Sequence, residues 1–152
     1  MNSNTDPNIT LIKTEFEIML ERFSAGDSTA VTKYMQFPAL GINTPTTVFN
    51  TIEEFINFVD SYPLQEDYSY TKSDRMDIYP IGGPIYCLDY DYSRFNDHDE
   101  LLSQGRGIYL YSNETGSWKV FSFWNGDQNR GFIIVFLKNS NKILNLENEN
   151  DH

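Results

Sequence analysis

The chain has 152 residues, a formal net charge of −11 and an aromatic content of 15%. This length suits one domain with a full hydrophobic core, and the acidic balance excludes attraction to nucleic acid or anionic membrane surfaces. A single cysteine, Cys87, excludes an internal disulfide and a cysteine-rich metal site. The first residues lack an export signal, and the longest apolar run, residues 132–137, is far shorter than the roughly 20 residues of a membrane helix. We therefore expect a soluble cytoplasmic protein without nucleic-acid or membrane partners.

Two helices are predicted at the N-terminus. Asp6 precedes a proline, which is the pattern of a helix cap, and apolar residues then recur at three- and four-residue spacing up to Phe23. Gly26 suits the end of this helix, and Asp27 suits the cap of a second, shorter one that ends before Pro38. The apolar positions of the second helix are Ala30, Val31, Tyr34 and Met35.

A third helix is predicted after a less regular segment. Residues 39–50 indicate one or two short strands. Thr51 and Glu54 then form a capping box, and Pro63 ends the helix. The apolar stripe between these signals consists of Ile52, Phe55, Ile56, Val59 and Tyr62.

Four long strands are predicted in the second half of the chain. Residues 67–80 alternate in polarity, and residues 84–125 contain three segments rich in aromatic and β-branched side chains. The breaks at residues 96–99 and 113–117 consist of turn-forming residues. Two consecutive antiparallel hairpins are therefore expected.

The register of the hairpins decides which side chains share a face of the sheet, because a slip of one residue exchanges the two faces. We predict Phe95 opposite Leu101, and Leu110 opposite Trp118. One face then carries Tyr86, Leu88, Tyr90, Tyr92, Arg94, Leu102, Gln104, Arg106, Ile108, Leu110, Val120, Ser122 and Trp124. The opposite face carries Cys87, Asp89, Asp91, Tyr109, Tyr111, Phe121 and Phe123.

A shorter first turn is the alternative. Two turn residues at Asp97 and His98 would shift the pairing and exchange the faces of the following strand. The residues that would then lie side by side are Asp89, Asp91, Gln104 and Arg106.

We expect one domain over residues 1–137. The continuous apolar run at 132–137 indicates a strand buried on both faces or paired with another chain. Residues 138–152, rich in Asn and Glu, are predicted to be a mobile tail.

The order of these elements resembles the nuclear transport factor two-like superfamily. The resemblance covers roughly residues 9–125, and particular residues are similar to the SnoaL-like and ketosteroid-isomerase-like branches. These residues are the Gly26-Asp27 corner, the turn at 81–84, Gly105-Arg106 before 108–111, and Gly116-Ser117 before Trp118. The resemblance implies an α+β cone-shaped fold with three N-terminal helices packed on a strongly bent, mostly antiparallel sheet.

The resemblance also implies an open-ended cup between the sheet and the helices, which many members use for a hydrophobic small molecule. Six side chains would project into the cup: Tyr90, Tyr92, Gln104, Arg106, Ser122 and Trp124. Arg106 is the sharpest candidate, because a guanidinium among apolar groups requires an anion or water; a salt bridge to Glu15 or Glu17 is the alternative. We expect an apolar or mildly anionic small molecule as ligand, and no metal or cofactor.

Catalysis is left open by the sequence. A ketosteroid-isomerase-like enzyme would use Asp77, Asp89 or Asp91 as the general base and Tyr90 as the donor to a developing oxyanion. His98 lies at a predicted hairpin tip and does not support a histidine mechanism. A further alternative is a non-catalytic association module whose cup is filled by its own side chains.

An aromatic patch is predicted on the outside of the sheet. Tyr109, Tyr111, Phe121 and Phe123 would form a surface too large to leave in water. Dimerisation through a sheet face is common among the superfamily's members, so a homodimer through these four residues is expected.

Overall fold

The computed structural model describes residues 6–42, 46–62, 64 and 66–127. The elements are α1 (Pro7–Ser24), α2 (Ser28–Thr32), β1 (Met35–Gly41), β2 (Thr47–Phe49), α3 (Ile52–Asp60), β3 (Tyr70–Gly82), β4 (Ile85–Phe95), β5 (Leu101–Ser112) and β6 (Lys119–Asp127). The strands form one open sheet in the order β2-β1-β6-β5-β4-β3. Only the β1–β6 pair is parallel. The predicted α+β class and mostly antiparallel sheet are confirmed.

The apolar run at 132–137 and the tail at 138–152 lie outside the described residues. The single domain over residues 1–137 therefore stays a prediction. Within the described part of the chain, no helix is long and apolar enough to cross a bilayer.

Helices α1 and α3 begin at the predicted caps. The Asp6 carboxylate accepts a hydrogen bond from the Asn8 N–H at 2.9 Å, and the Thr51 hydroxyl accepts one from the Glu54 N–H at 3.2 Å. These bonds satisfy N–H groups that have no partner inside the helix. After α1, Gly26 adopts a φ of 74°, the left-handed conformation that glycine tolerates. Pro63, predicted to end α3, lies outside the described residues.

The second helix is shorter than predicted. It ends at Thr32, and the chain enters β1 at Met35, so Pro38 lies inside a strand and not after a helix. The pairing of β1 with β6 shifts register between Met35 and Leu40. Proline has no N–H to give to a strand ladder, which explains why the ladder is irregular there.

The first hairpin contains a bulge that the sequence did not reveal. Phe95 pairs with Leu101 as predicted, but the register shifts by one residue between Arg94 and Phe95. A bulge of this kind adds one residue to one strand, so the rest of β5 exchanges faces relative to β4. The predicted face of the β5 side chains is therefore wrong.

The faces expected from the alternative register are the ones observed. Asp91 pairs with Arg106, and Ser93 pairs with Gln104. The turn keeps the length first predicted, so the bulge, and not a shorter turn, produces this arrangement.

A second bulge occurs where β5 meets β6. Leu110 pairs with Ser122 rather than with Trp118, and the register shifts between Leu110 and Tyr111. Tyr111 then pairs with Val120. As a result, Ser122 lies on the same face as Leu110, away from Val120.

The helices cover the face of the sheet that carries Tyr90, which we call the inner face; the other is the outer face. Phe16 of α1 is fully buried, and its ring centroid lies 4.8 Å from that of Tyr90 and 5.0 Å from that of Tyr109. The main buried apolar residues of this core are Ile12, Phe16, Met19, Phe55, Leu88, Tyr90, Tyr109, Tyr111, Val120 and Phe123.

The predicted dimer patch is wrong for the same reason as the register. Tyr109, Tyr111 and Phe123 are only 9%, 1% and 5% exposed, because the bulge between β4 and β5 turns their face toward the helices. Phe121 is half-buried. These four residues therefore do not form an outward aromatic surface.

Strand β3 is an edge of the described sheet and carries two interruptions. Its register with β4 shifts between Ser73 and Arg75, and again between Pro80 and Gly82. The proline itself is exposed. Bulges and prolines at edges reduce the number of regularly spaced groups that another strand could pair with.

Candidate functional site

A cavity lies between the helices and the inner face of the sheet. It has a volume of about 60 Å³. Its apolar lining includes Met19, Leu20, Phe23, Phe55, Phe58 and Phe123. Its polar lining consists of Tyr62, Thr71, Tyr90, Arg94, Tyr109 and Asn125. No carboxylate and no histidine of the described residues lines it.

Two glycines of β5 make room for the tyrosines above the sheet. A Cβ on Gly105 would stand 2.3 Å from Cζ of Tyr92, and one on Gly107 would stand 2.4 Å from Cε1 of Tyr90. Both distances are far below van der Waals contact, so only glycine allows the rings to lie there. In the run Gly105-Arg106-Gly107 the glycines face inward, and Arg106 faces outward.

Arg94 is the cation of the cavity. Its Nη2 lies 3.5 Å from the Tyr62 hydroxyl and 3.4 Å from the Tyr92 hydroxyl. Its guanidinium carbon lies 5.6 Å from the Tyr62 ring centroid and 4.8 Å from that of Tyr92, within the range of cation–π attraction. Within the described part of the chain, the buried Nε has no hydrogen-bond partner and no carboxylate pairs with the guanidinium.

Arg94 remains charged in this setting. Burial lowers its pKa, but the electrostatic effect of Tyr92 and the hydrogen bond to Tyr62 outweigh burial, so the pKa lies above the ordinary value. The cavity therefore holds a permanent positive charge beside apolar and aromatic walls.

A chain of neutral polar groups forms another part of the wall. The Tyr109 hydroxyl donates to Oδ1 of Asn125 at 2.9 Å. Burial raises the pKa of Tyr109 and of Tyr90 well above the ordinary tyrosine value, so both stay protonated. These hydroxyls act as neutral hydrogen-bonding groups and not as bases.

The outer face carries a separate network of charges around Asp89. Arg106 donates to both oxygens of that carboxylate, with Nε to Oδ1 at 2.9 Å and Nη2 to Oδ2 at 2.6 Å. Arg75 donates to Asp89 at 2.8 Å and to Asp91 at 2.9 Å, and it also pairs with Asp77. The predicted need of Arg106 for an anion is met here, by Asp89 and not by a helix glutamate.

Of the six predicted site residues, two lie on the inner face. Tyr90 lines the cavity, and Tyr92 supports Arg94. The other four, Gln104, Arg106, Ser122 and Trp124, lie on the outer face, so the prediction that they line the cup is wrong. The reason is the bulge between β4 and β5, which the sequence pattern did not show: it exchanges the faces of β5, and of the paired part of β6, relative to Tyr90. Ligand binding by Tyr90 and Tyr92 stays a prediction.

The proposed acid–base arrangement is also contradicted. Asp77, Asp89 and Asp91 lie on the outer face, while Tyr90 lies on the inner face. A carboxylate there cannot act on a substrate that Tyr90 contacts across the sheet. In the part of the chain that the structure describes, no group of three or more His, Cys, Asp or Glu residues could hold a metal ion.

Arg94 and Asn125 were not selected from the sequence. Arg94 has the same strand phase as Tyr90 and Tyr92, so a search for inward cations on β4 could have found it. Asn125 gave no such signal, because its place on the inner face depends on the bulge between β4 and β5.

Neither a protein-family model nor a curated protein matches the chain. Solved structures do. The association domain of C. elegans CaMKII is 15% identical with a TM-score of 0.64, over 82% of this chain and 99% of that one. A ketosteroid isomerase-like protein from Erwinia carotovora atroseptica is 14% identical with a TM-score of 0.63, over 80% and 97%.

A third similar structure is a putative dehydratase of the NTF2-like family from Streptomyces avermitilis. It is 8% identical with a TM-score of 0.61, over 80% of this chain and 96% of that chain. The three proteins differ in the roles that their names give, yet they share one architecture with this chain. The likeness confirms the fold that the sequence resemblance implied.

Proposed function

We propose that this chain, which has the nuclear transport factor two-like fold, binds a small molecule in the cavity between its sheet and helices. Arg94 holds the anionic or carbonyl end of that molecule, and the apolar walls receive its body. The supporting observation is the guanidinium of Arg94, which stays charged beside apolar walls and has no carboxylate partner among the described residues.

A partly buried cation needs compensation. Removing a guanidinium from water without an acid partner is unfavourable, and hydrogen bonds to an ionised acceptor are the strongest compensation available. The two tyrosines beside Arg94 supply ring faces and hydroxyls, yet they leave Nε without an acceptor. An anionic ligand would supply one.

The size of the cavity limits the ligand. An engineered cavity of about 150 Å³ holds benzene, and one water requires roughly 10–15 Å³. The cavity here, about 60 Å³, is smaller than the cavity that holds benzene and several times larger than the space that one water requires. In proportion to benzene, this volume suits an apolar body of about two or three non-hydrogen atoms.

The test is the recovery of bound small molecules from purified protein by mass spectrometry. We expect an anionic compound to be recovered with the wild type and at least tenfold less of it with Arg94→Met. Arg22→Met is the matched control, because Arg22 is exposed in the last turn of α1. Equal recovery from the Arg94 and Arg22 variants contradicts the proposal, as does a wild type that retains nothing and binds no small carboxylate.

Self-association is a second candidate function. Two observations favour it: buried aromatic side chains of the chain itself pack between the sheet and the helices around the cavity, and the fold is similar to that of a CaMKII association domain. Self-association is compatible with ligand binding. The helices cover the inner face, where the cavity lies, so copies of the chain would contact each other through other surfaces.

A further inference from the structure

We infer that Asn125 is a second recognition group of the cavity and that, together with Arg94, it selects a carboxylate. This inference rests on the proposed function and adds the chemical class of the ligand. The ligand would be a short monocarboxylate with an apolar body.

The orientation of the Asn125 amide follows from its neighbour. Oδ1 accepts the hydrogen bond from the Tyr109 hydroxyl at 2.9 Å. Tyr109 is buried and keeps its proton, so it always has one to donate. With Oδ1 engaged, Nδ2 is the part of the amide left to the cavity, and it can only donate. No described residue accepts a hydrogen bond from it.

Packing limits movement of the amide. Asn125 pairs with Gly107 across β5 and β6, and a Cβ on that glycine would stand 2.7 Å from Oδ1. The oxygen is therefore in close contact with the β5 backbone at Gly107. A side chain confined in this way presents its donor in a fixed direction, which reduces the entropy lost on binding.

Arg94 and Asn125 lie at the same end of the cavity. The Tyr92 hydroxyl lies 3.4 Å from Nη2 of Arg94 and 3.4 Å from the carbonyl oxygen of Gly126, the residue after Asn125. One tyrosine thus bridges the arginine and the end of β6. Both Arg94 and Asn125 line the cavity.

This end of the cavity offers hydrogen-bond donors and a positive charge. A guanidinium has donors only, and the free half of the amide has donors only. A carboxylate is acceptor-only when ionised, and its two oxygens can engage two donor groups. An ammonium group would meet a like charge at Arg94 and find no carboxylate of the described lining to pair with.

The apolar part of the cavity determines the chemical nature of the rest of the ligand. Met19, Phe58 and Phe123 form its walls, and burial of methylene groups against them favours binding. A short hydrocarbon body on a carboxylate satisfies both ends of the site. Propionate is therefore a suitable probe, with propionamide and propylamine as comparisons of similar size.

The experiment measures the dissociation constants of the three probes by NMR titration of the full chain. For the wild type we expect propionate to bind at least tenfold more tightly than propionamide, and propylamine not to bind. Asn125→Asp keeps an oxygen for Tyr109 and replaces the donor by a second oxygen. We expect it to weaken propionate binding at least tenfold, while Asn113→Asp, which adds the same charge in an exposed turn, leaves it unchanged.

A second variant separates recognition from stability. Tyr109→Phe removes the hydroxyl that orients the amide and leaves Asn125 in place. We expect it to reduce the preference for propionate over propionamide, even if Asn125→Asp does not fold.

The outcomes distinguish the two proposals. Binding of propionate that depends on Arg94 but is unchanged in both Asn125→Asp and Tyr109→Phe overturns the role of Asn125 and leaves the proposed function standing. A wild type that prefers propylamine, or that does not distinguish the three probes, overturns the selection of a carboxylate.

Discussion

Gly107 on β5 lies directly against the ring of Tyr90 on β4, so closely that a Cβ on the glycine would stand 2.4 Å from Cε1 of the ring. The same Cβ would stand 2.7 Å from Oδ1 of Asn125 and 2.9 Å from the Tyr109 ring. One missing side chain therefore allows three polar groups of the cavity wall to pack together. The cavity depends on this glycine as much as on the groups that line it.

Substitution of Gly107 by alanine is expected to destabilise the fold. The added methyl group must displace Tyr90 or Asn125, and overpacking of this kind costs about 1–3 kcal/mol. Gly82→Ala is the control, because nothing lies within 4 Å of a Cβ there. Denaturant unfolding should show a loss for Gly107→Ala and little change for Gly82→Ala. Equal free energies of unfolding for the two variants would show that the tyrosine ring moves freely.

Asp89 is expected to make stability depend on acid pH. Burial opposes its ionisation, but hydrogen bonds from Arg106 and Arg75 outweigh burial and hold its pKa below the ordinary value. The unfolded chain then takes up the proton first, near pH 4, so the stabilisation is complete above about pH 5 and is lost as pH falls through the folded pKa.

The variant Asp89→Asn tests this dependence. It should lower the free energy of unfolding by about 2–3 kcal/mol at pH 7, because two arginines lose a shared carboxylate. The difference from the wild type should shrink at pH 3. Asp77→Asn, at a position whose side chain is 63% exposed, is the control and should cost less than about 1 kcal/mol. A constant difference between the wild type and Asp89→Asn at both pH values contradicts the assignment.

Arg94 and Arg106 are expected to respond differently to the same substitution. Arg106→Met leaves the Asp89 carboxylate with one partner fewer and should cost about 2–3 kcal/mol. Arg94→Met removes a cation that has no carboxylate partner among the described residues, so the loss should stay below that of Arg106→Met and not exceed about 2 kcal/mol, the size of a desolvated cation–π contribution. Thermal and denaturant unfolding measure both. A large loss from Arg94→Met would show that Arg94 is structural.

Phe123 is expected to behave as a core residue. Its ring centroid lies 6.0 Å from that of Phe49 and 6.3 Å from that of Tyr109. Phe123→Ala should therefore lower the free energy of unfolding by about 3–5 kcal/mol. Exposed Leu101, which is 54% exposed, provides the control through Leu101→Ala. If Phe123→Ala left stability unchanged and abolished self-association, the original placement of Phe123 in an interface would be right after all.

Self-association is expected to depend on salt. Each copy carries a formal charge of −11, so repulsion opposes dimerisation at low ionic strength and is screened as salt rises. Light scattering at micromolar concentration should report a homodimer that becomes more stable between low and moderate salt. A monomer at every salt concentration rules the candidate out.

The sequence predicted the elements better than it predicted the faces. Caps at Asp6 and Thr51 and the left-handed Gly26 are local signals, and each is confirmed. The bulges next to Phe95 and Tyr111 depend on how neighbouring strands fit together, which the polarity pattern of a single strand does not contain. One extra residue in the first hairpin exchanged the faces of β5 and β6 relative to β4, and most of the predicted site went to the outer face with it.

One local signal was available and would have corrected the register. Glycines alternate with Arg106 in β5, while tyrosines recur in β4. Large rings on one strand fit over missing side chains on its neighbour, so pairing Tyr90 with Gly107 and Tyr92 with Gly105 satisfies both strands. That pairing also places Arg106 among the acids.

The interrupted edge at β3 has a consequence for how copies of this protein can assemble. A strand of a second chain paired with this edge would lie beside the bulge at Asp74 and opposite Pro80, which has no amide hydrogen to donate. Continuous pairing of strands from molecule to molecule is therefore disfavoured at this edge of the sheet.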